Sequence, residues 1–218
     1  ITEFQNIVYE FYHKNRRDLP WRNTSNPYHI LVSEVMLQQT QVSTVLKKYP
    51  LFVEKFPTID SLASAEIKEV LSIWQGLGYN RRAINLKKAA EIILKNYQGD
   101  VPQTQEKLRK LPAVGKATSA SILVFAFNRP TTFIETNIRS VFIHRFLKDK
   151  ENITDNQIFP LVEQTLDKRS PKEWYNALMD YGSFLKSQYA NPNHKSKHYK
   201  KQSSFKGSNR EIRGRVLK

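Results

Sequence analysis

The sequence predicts an all-α fold. Apolar residues recur at helical spacing along most of the chain, and the alternation of a half-buried strand is scarce. Asn26-Pro27 reads as an N-cap followed by a first-turn proline, opening a helix through Leu31, Val32 and Val35. A second amphipathic segment covers Ser43–Phe56 and is stopped by Pro57. Further helical segments follow at Ser61–Ala65, Ile67–Trp74, Arg81–Tyr97, Gln105–Lys110, Lys116–Phe127, Asn137–Phe146, Asp155–Leu166 and Lys172–Phe184. There is no internal repeat. Of seven glycines, three sit in two places: Gly76 and Gly78 in Gln75–Tyr79, and Gly115 in Leu111–Lys116. A rare glycine marks a backbone that turns sharply or is closely approached.

Composition narrows the function classes. With 218 residues, 39% apolar and 25% charged, the chain can bury a core as one or two domains. Its formal net charge of +15 favours a polyanionic partner, because neutralised phosphates release condensed counterions. Simple solubility is the alternative. No run of about 18 apolar residues spans a membrane, and no basic amphipathic helix with aromatic anchors stands out. Ile1–Tyr12 carries acids and no small-residue cleavage site, so a cytoplasmic, nucleoid-associated location is expected. The absence of cysteine excludes disulfides, thiolate zinc sites and iron–sulfur clusters. Of five histidines, only His194 and His198 share a ligand-like spacing, and they read as charged surface. From Lys186 to Lys218 the chain holds ten Lys or Arg against one acid, Glu211; this basic tail either tracks phosphates or stays solvated.

Two stretches carry chemistry. Leu111-Pro-Ala-Val-Gly-Lys116 joins two helical segments, with Thr118 and Ser119 opening the second. Such a turn directs free backbone N–H groups outward at a helix N-terminus, where the dipole also favours an anion. A tight helix connection would look the same. On a helix, Glu34, Gln38 and Gln41 form a polar stripe beside Leu31, Val32 and Val35. An acid at the border of a core is placed for a raised pKa. Periodicity alone makes Glu34 an ordinary solvated residue.

A resemblance separates these readings. Leu-Pro-Ala-Val-Gly-Lys-Ala-Thr resembles the helix-hairpin-helix of the endonuclease III and MutY-type adenine glycosylase superfamily, where Leu-Pro-Gly-Val-Gly is usual. Leu19-Pro-Trp-Arg22, Pro27-Tyr28, Ser33–Thr40 and Trp74–Tyr79 resemble the MutY-type pattern, in its order and spacing over roughly residues 11–145. The resemblance implies two lobes: residues 25–130 as a helical bundle containing the hairpin at 111–116, and residues 1–24 plus 131–218 as a second lobe whose basic tail begins near 186. It implies that Glu34 protonates the departing adenine and that Gln38 and Tyr79 enter the base stack. Unstacking of that kind costs a few kcal/mol and helps extrude the target nucleotide. Gln39, Arg82, Val114, Gly115, Lys116 and Thr118 complete the implied DNA-facing set. The hairpin carbonyls of Arg109, Leu111 and Val114 would hold a monovalent cation, and no cofactor is required. The bifunctional members carry a Schiff-base lysine at the position of Ala117, so imine-based strand cleavage loses its nucleophile. Lys116 is about 100° away around the helix.

The resemblance also implies a second carboxylate, an aspartate in Asp-Gly-Asn before a helix. Here the stretch reads Glu135-Thr136-Asn137. A carboxylate near C1′ stabilises the positive charge left on the sugar. Glu is longer by about 1.5 Å, and misplacement of about 1 Å can cost roughly 100-fold in rate. Working catalysis, an altered activity and lesion binding without chemistry therefore stay open. Asn137 either orders the pocket or caps the helix. The first of the family's four cluster cysteines corresponds to Lys186 and none follows, so charge at Lys195–Lys201 is expected to face phosphate instead. No segment corresponds to the domain that recognises 8-oxoguanine. Adenine is the expected base, with thymine or uracil opposite guanine as the alternative, and the expected partner of this monomer is damaged or mismatched duplex DNA.

Overall fold

A computed structural model describes residues 1–197, 199, 200, 207 and 212. Among them eleven α-helices occur: α1 Thr2–Asn15, α2 Pro27–Leu37, α3 Val42–Lys55, α4 Ile59–Ser64, α5 Ile67–Trp74, α6 Arg81–Tyr97, α7 Gln105–Leu108, α8 Lys116–Phe127, α9 Thr136–Phe146, α10 Asp155–Thr165 and α11 Pro171–Gln188. Short 3-10 turns occupy Pro20–Arg22 and Pro192–Lys195. The described residues contain no strand beyond one parallel bridge between Ile153 and Ser196, and no helix long and apolar enough to cross a membrane. The fold is all-α, as the spacing of apolar residues requires.

Local chemistry sets most helix ends. Asn26 Oδ1 accepts from the N–H groups of Tyr28 (2.9 Å) and His29 (3.2 Å), with Pro27 in the first turn. Thr58 caps α4 reciprocally with Ser61, so that helix starts two residues before the expected Ser61. Two differences from the sequence reading are larger. α1 was not expected as a helix; it forms because Phe4, Val8 and Tyr12, one turn apart, are buried. Phe4 meets Phe142 and Trp174 edge-to-face at 5.6 and 5.8 Å. α11 runs to Gln188 rather than Phe184, because Leu185 is buried in the same core.

The helices pack in two sets. α2 to α8 contact one another, with α2 against α8, α3 and α6, and α4 and α5 on α6. α1, α9, α10, α11 and Pro192–Lys195 form the other set, and α11 reaches α8 across the seam. α2 and α8 are buried on nearly every side, Ile30–Met36 and Ser119–Phe125 respectively except Glu34, which is only half-buried. Glu34, in the middle of α2, therefore lies against α8 rather than in open solvent.

Candidate active site

Glu34 projects from the middle of α2 toward α8, where the Ser121 hydroxyl bonds its Oε2. Ser121 Oγ also lies 3.0 Å from Thr118 O. A hydroxyl both donates and accepts, so Ser121 serves either protonation state of Glu34: it donates to the carboxylate, or accepts from the acid while donating to Thr118 O. Burial pushes the Glu34 carboxyl up to about 7; the Ser121 bond opposes this and the negative charge of Glu135 adds to it. Glu34 is thus an acid poised at neutral pH.

Glu135 is the N-cap of α9. Its Oε1 accepts from the N–H groups of Asn137 (2.7 Å) and Ile138 (2.9 Å), and its Oε2 from Asn137 Nδ2 (3.2 Å). The carboxylate thus folds back over the first turn of its own helix. Of the two readings of Asn137, the cap is thereby corrected: Glu135 caps, while Asn137 lies inside the helix and orients the carboxylate. Burial raises the Glu135 pKa; the Ile138 N–H, the charge of Lys186, the Asn137 N–H and Arg139 pull it back.

The hairpin sits beside this pair. α8 begins at Gly115 without a side-chain cap, so its first N–H groups lack intrahelical partners. Gly115, Lys116 and Ala117 are exposed. Lys116 Nζ lies 5.6 Å from the Phe159 ring centroid on α10, a direction set by its position on the helix. Val114 differs from the expectation: it is buried and its N–H already donates to Leu111 O at 3.2 Å, so the free donors start after it. Ala113 adopts φ +67° where the family's glycine stands, a strained conformation for a residue with a Cβ.

The expected stacking residues occupy two adjoining loops. Gln38 does not continue the stripe from Glu34, because α2 ends at Leu37; Gln41 instead precedes α3. Gln38 Nε2 donates to Ala113 O (2.9 Å) and Thr118 Oγ1 (3.2 Å), tying this loop to the hairpin. Gln39 and Tyr79 are exposed and both have positive φ, 54° and 50°. Arg82 corrects its expected DNA-facing role. It is buried, and its guanidinium donates to the carbonyls of Val35, Met36, Gln38, Leu77 and Gly78 and to Thr40 Oγ1 at 2.7–3.1 Å. It builds the two loops and supports the Tyr79 ring from 5.5 Å.

The reading from sequence missed Ser121, whose signal was a hydroxyl opposite an acid on another helix. It also missed Asp180, which binds Arg22 bidentately at 2.8 Å and Arg17 Nε at 2.6 Å. The donor set does not fit an iron–sulfur cluster, since the chain has no cysteine. The segment that follows α11 is fixed differently: Asn193 Nδ2 donates to Thr136 O (3.1 Å), and Lys195 O and Ile153 O accept from Ile153 and Lys197. Lys195 is engaged by Glu151 (3.0 Å) and Lys148 O, which limits its expected phosphate role; His198 and Lys201 lie outside the described residues. A cavity of about 770 Å³ is lined by Tyr12, Arg16, Arg22, Lys172 and Asn176 among others, and neither Glu34 nor Glu135 lines it.

Comparison with known proteins agrees with this geometry. Residues 32–168 match the HhH-GPD superfamily of base excision DNA repair proteins. An adenine DNA glycosylase of Buchnera aphidicola subsp. Baizongia pistaciae is 36% identical over 186 residues, covering 84% of this chain and 52% of the relative. The human adenine DNA glycosylase is 34% identical over 195 residues, covering 84% and 36%. The chain thus spans about half the length, or less, of these curated relatives. A thermostable thymine-DNA glycosylase superposes with a TM-score of 0.79 at 28% identity, covering 89% of this chain and 91% of that one. An endonuclease III trapped as a covalent intermediate with DNA shares the fold, with a TM-score of 0.64 at 23% identity. With an uncapped hairpin helix, a neutral-range acid and a second carboxylate at one seam, the chain belongs to the HhH-GPD superfamily of base excision DNA repair proteins.

Proposed function

We propose that this protein is a monofunctional DNA glycosylase that hydrolyses the N-glycosidic bond of a mispaired adenine in duplex DNA. The observation that carries the reading is the Glu34–Glu135 pair: two neighbouring carboxyls, one raised to about 7 and the other held by helix N–H donors. Two titratable groups whose environments separate their roles mark the acid and the charge stabiliser. The free N–H groups of α8 grip a phosphate, the loops carrying Gln38, Gln39 and Tyr79 enter the stack, and the target nucleotide swings out. Glu34 then gives its proton to a ring nitrogen of the base as the C1′–N bond breaks and its electron pair leaves with the base. Ionised Glu135 stabilises the positive sugar, water adds to C1′ and loses a proton, and an abasic site remains. The carbonyls of Arg109, Leu111 and Val114 form the candidate monovalent-cation site. We place the DNA along the seam between the two helix sets and expect a monomer working in the cytoplasm.

The adenine preference rests on the names of the relatives. A second reading, thymine or uracil opposite guanine, is favoured by the thymine-DNA glycosylase that this chain covers nearly end to end. Duplexes bearing A opposite 8-oxoguanine or G, and T or U opposite G, assayed with and without alkali, decide between them. Strand breaks only after alkali on the A-containing duplexes are expected. Breaks without alkali overturn the monofunctional assignment made from Ala117. Tight binding with no excision of any base overturns the enzymatic one. Glu34→Gln is expected to abolish excision and keep DNA affinity, and retained excision removes Glu34 from its role.

A further inference from the structure

We propose that Lys186 is the counter-ion of Glu135, a positioning residue that keeps the second carboxylate ionised while Glu34 holds its proton. The inference rests on the glycosylase reading above and gives a task to the lysine standing where relatives of this pattern carry a cluster cysteine. α11 presses onto the first turn of α9 so closely that a Cβ on Gly182 would stand 2.2 Å from Asn137 O. Lys186 follows Gly182 by one turn and shares its face, and the helix on that side is the one Glu135 caps. Its side chain is half-buried instead of extending into water, a costly place for an ammonium without an anion nearby. Burial lowers the Lys186 pKa while Glu135 raises it, and Arg17 beyond it lowers it.

The groups facing Glu135 are few. Glu34 approaches from α2, and the negative charge of Glu135 raises its pKa. Arg139, on the same helix, is paired bidentately with Asp155 at 2.8 and 2.9 Å. The donors on the Glu135 oxygens, two backbone N–H groups and an amide, are neutral. Lys186, from α11, adds a full positive charge. Two carboxyls at close quarters resist ionising together, so a cation on one side decides which of them keeps the proton. Lys186 assigns it to Glu34, as the chemistry requires.

The test is a ¹³C NMR titration of the glutamate carboxyls in the full chain, with the Glu135 signal identified through Glu135→Gln. In Lys186→Met the Glu135 midpoint is expected to move up by as much as about one pH unit, a tenfold change in its ionised fraction, while Lys186→Arg restores it. Single-turnover excision should show the acid limb of its pH profile moving by the same amount. If Lys186→Met fails to fold, as thermal unfolding would show, Lys186→Gln replaces it. An unmoved Glu135 midpoint in a folded variant overturns the proposal. So does a weakened DNA affinity with a salt slope reduced by about one and no NMR change, which makes Lys186 a phosphate contact. A shifted midpoint in a protein that excises nothing upholds the Lys186–Glu135 coupling and overturns the glycosylase reading instead.

Discussion

At the scale of single residues, function and stability pull Glu34 in opposite directions. Its folded-state pKa of about 7 lies above the ordinary 4.5. Above pH 4.5 the unfolded chain ionises this group while the fold resists, so stability is lost as pH rises toward 7 and the loss is then constant. Glu34→Gln should therefore stabilise the fold by on the order of 1–3 kcal/mol at pH 8 and by little at pH 4.5, measured by urea unfolding. Excision should fall as pH rises through about 7, with the slope of one titrating acid. Removing the Ser121 hydroxyl by Ser121→Ala takes away a bond that lowers this pKa, so the alkaline limb should move up. Ala113 offers the converse case. Its φ of +67° suits glycine, and Ala113→Gly should raise stability by roughly 1 kcal/mol, seen as a higher midpoint of thermal unfolding.

At the scale of elements, single residues set how two helices are placed. Gly182 allows α11 to touch the Asn137 carbonyl, and no alanine fits there without moving backbone. Because that carbonyl belongs to the first turn of α9, Gly182→Ala should displace Glu135 and lower the excision rate by at least about 100-fold in protein that still folds. Arg82 acts where α2 ends: it satisfies the carbonyls of that terminus and joins them to the Leu77–Gly78 loop. Truncation to Arg82→Ala leaves those carbonyls unpaired and empties a buried site. A loss of about 3 kcal/mol or more is expected by denaturant unfolding, together with weaker DNA binding through Gln39 and Tyr79.

At the scale of the whole molecule, the N-terminal segment and α11 are joined by one buried acid. Asp180 has 2% side-chain exposure and holds Arg17 and Arg22, about 160 residues away in the chain. Asp180→Asn leaves two guanidinium groups around a neutral amide, and a loss of roughly 3–5 kcal/mol is expected from a thermal or denaturant transition. The segment after α11 closes over α9 through Asn193, an arrangement of amide and carbonyl groups in place of any thiolate ligation. Both links are non-local, and neither has a periodic signature.

The sequence by itself determined the helical class and most helix boundaries, and pointed to Glu34 and Glu135 as the candidate pair. Capping residues, prolines and 3.6-residue periodicity are local, as Asn26-Pro27 and Arg81–Tyr97 show, and the motif order singled out Glu34 and Glu135. Only the tertiary structure decided what those residues become. Periodicity left Glu34 as a surface acid, and the packing of α2 on α8 placed it beside Ser121 and Glu135, where burial raises its pKa. It also turned Arg82 inward and gave the α9 cap to Glu135. Each of those outcomes depends on the charge and solvent exposure contributed by a different helix, which no local pattern records.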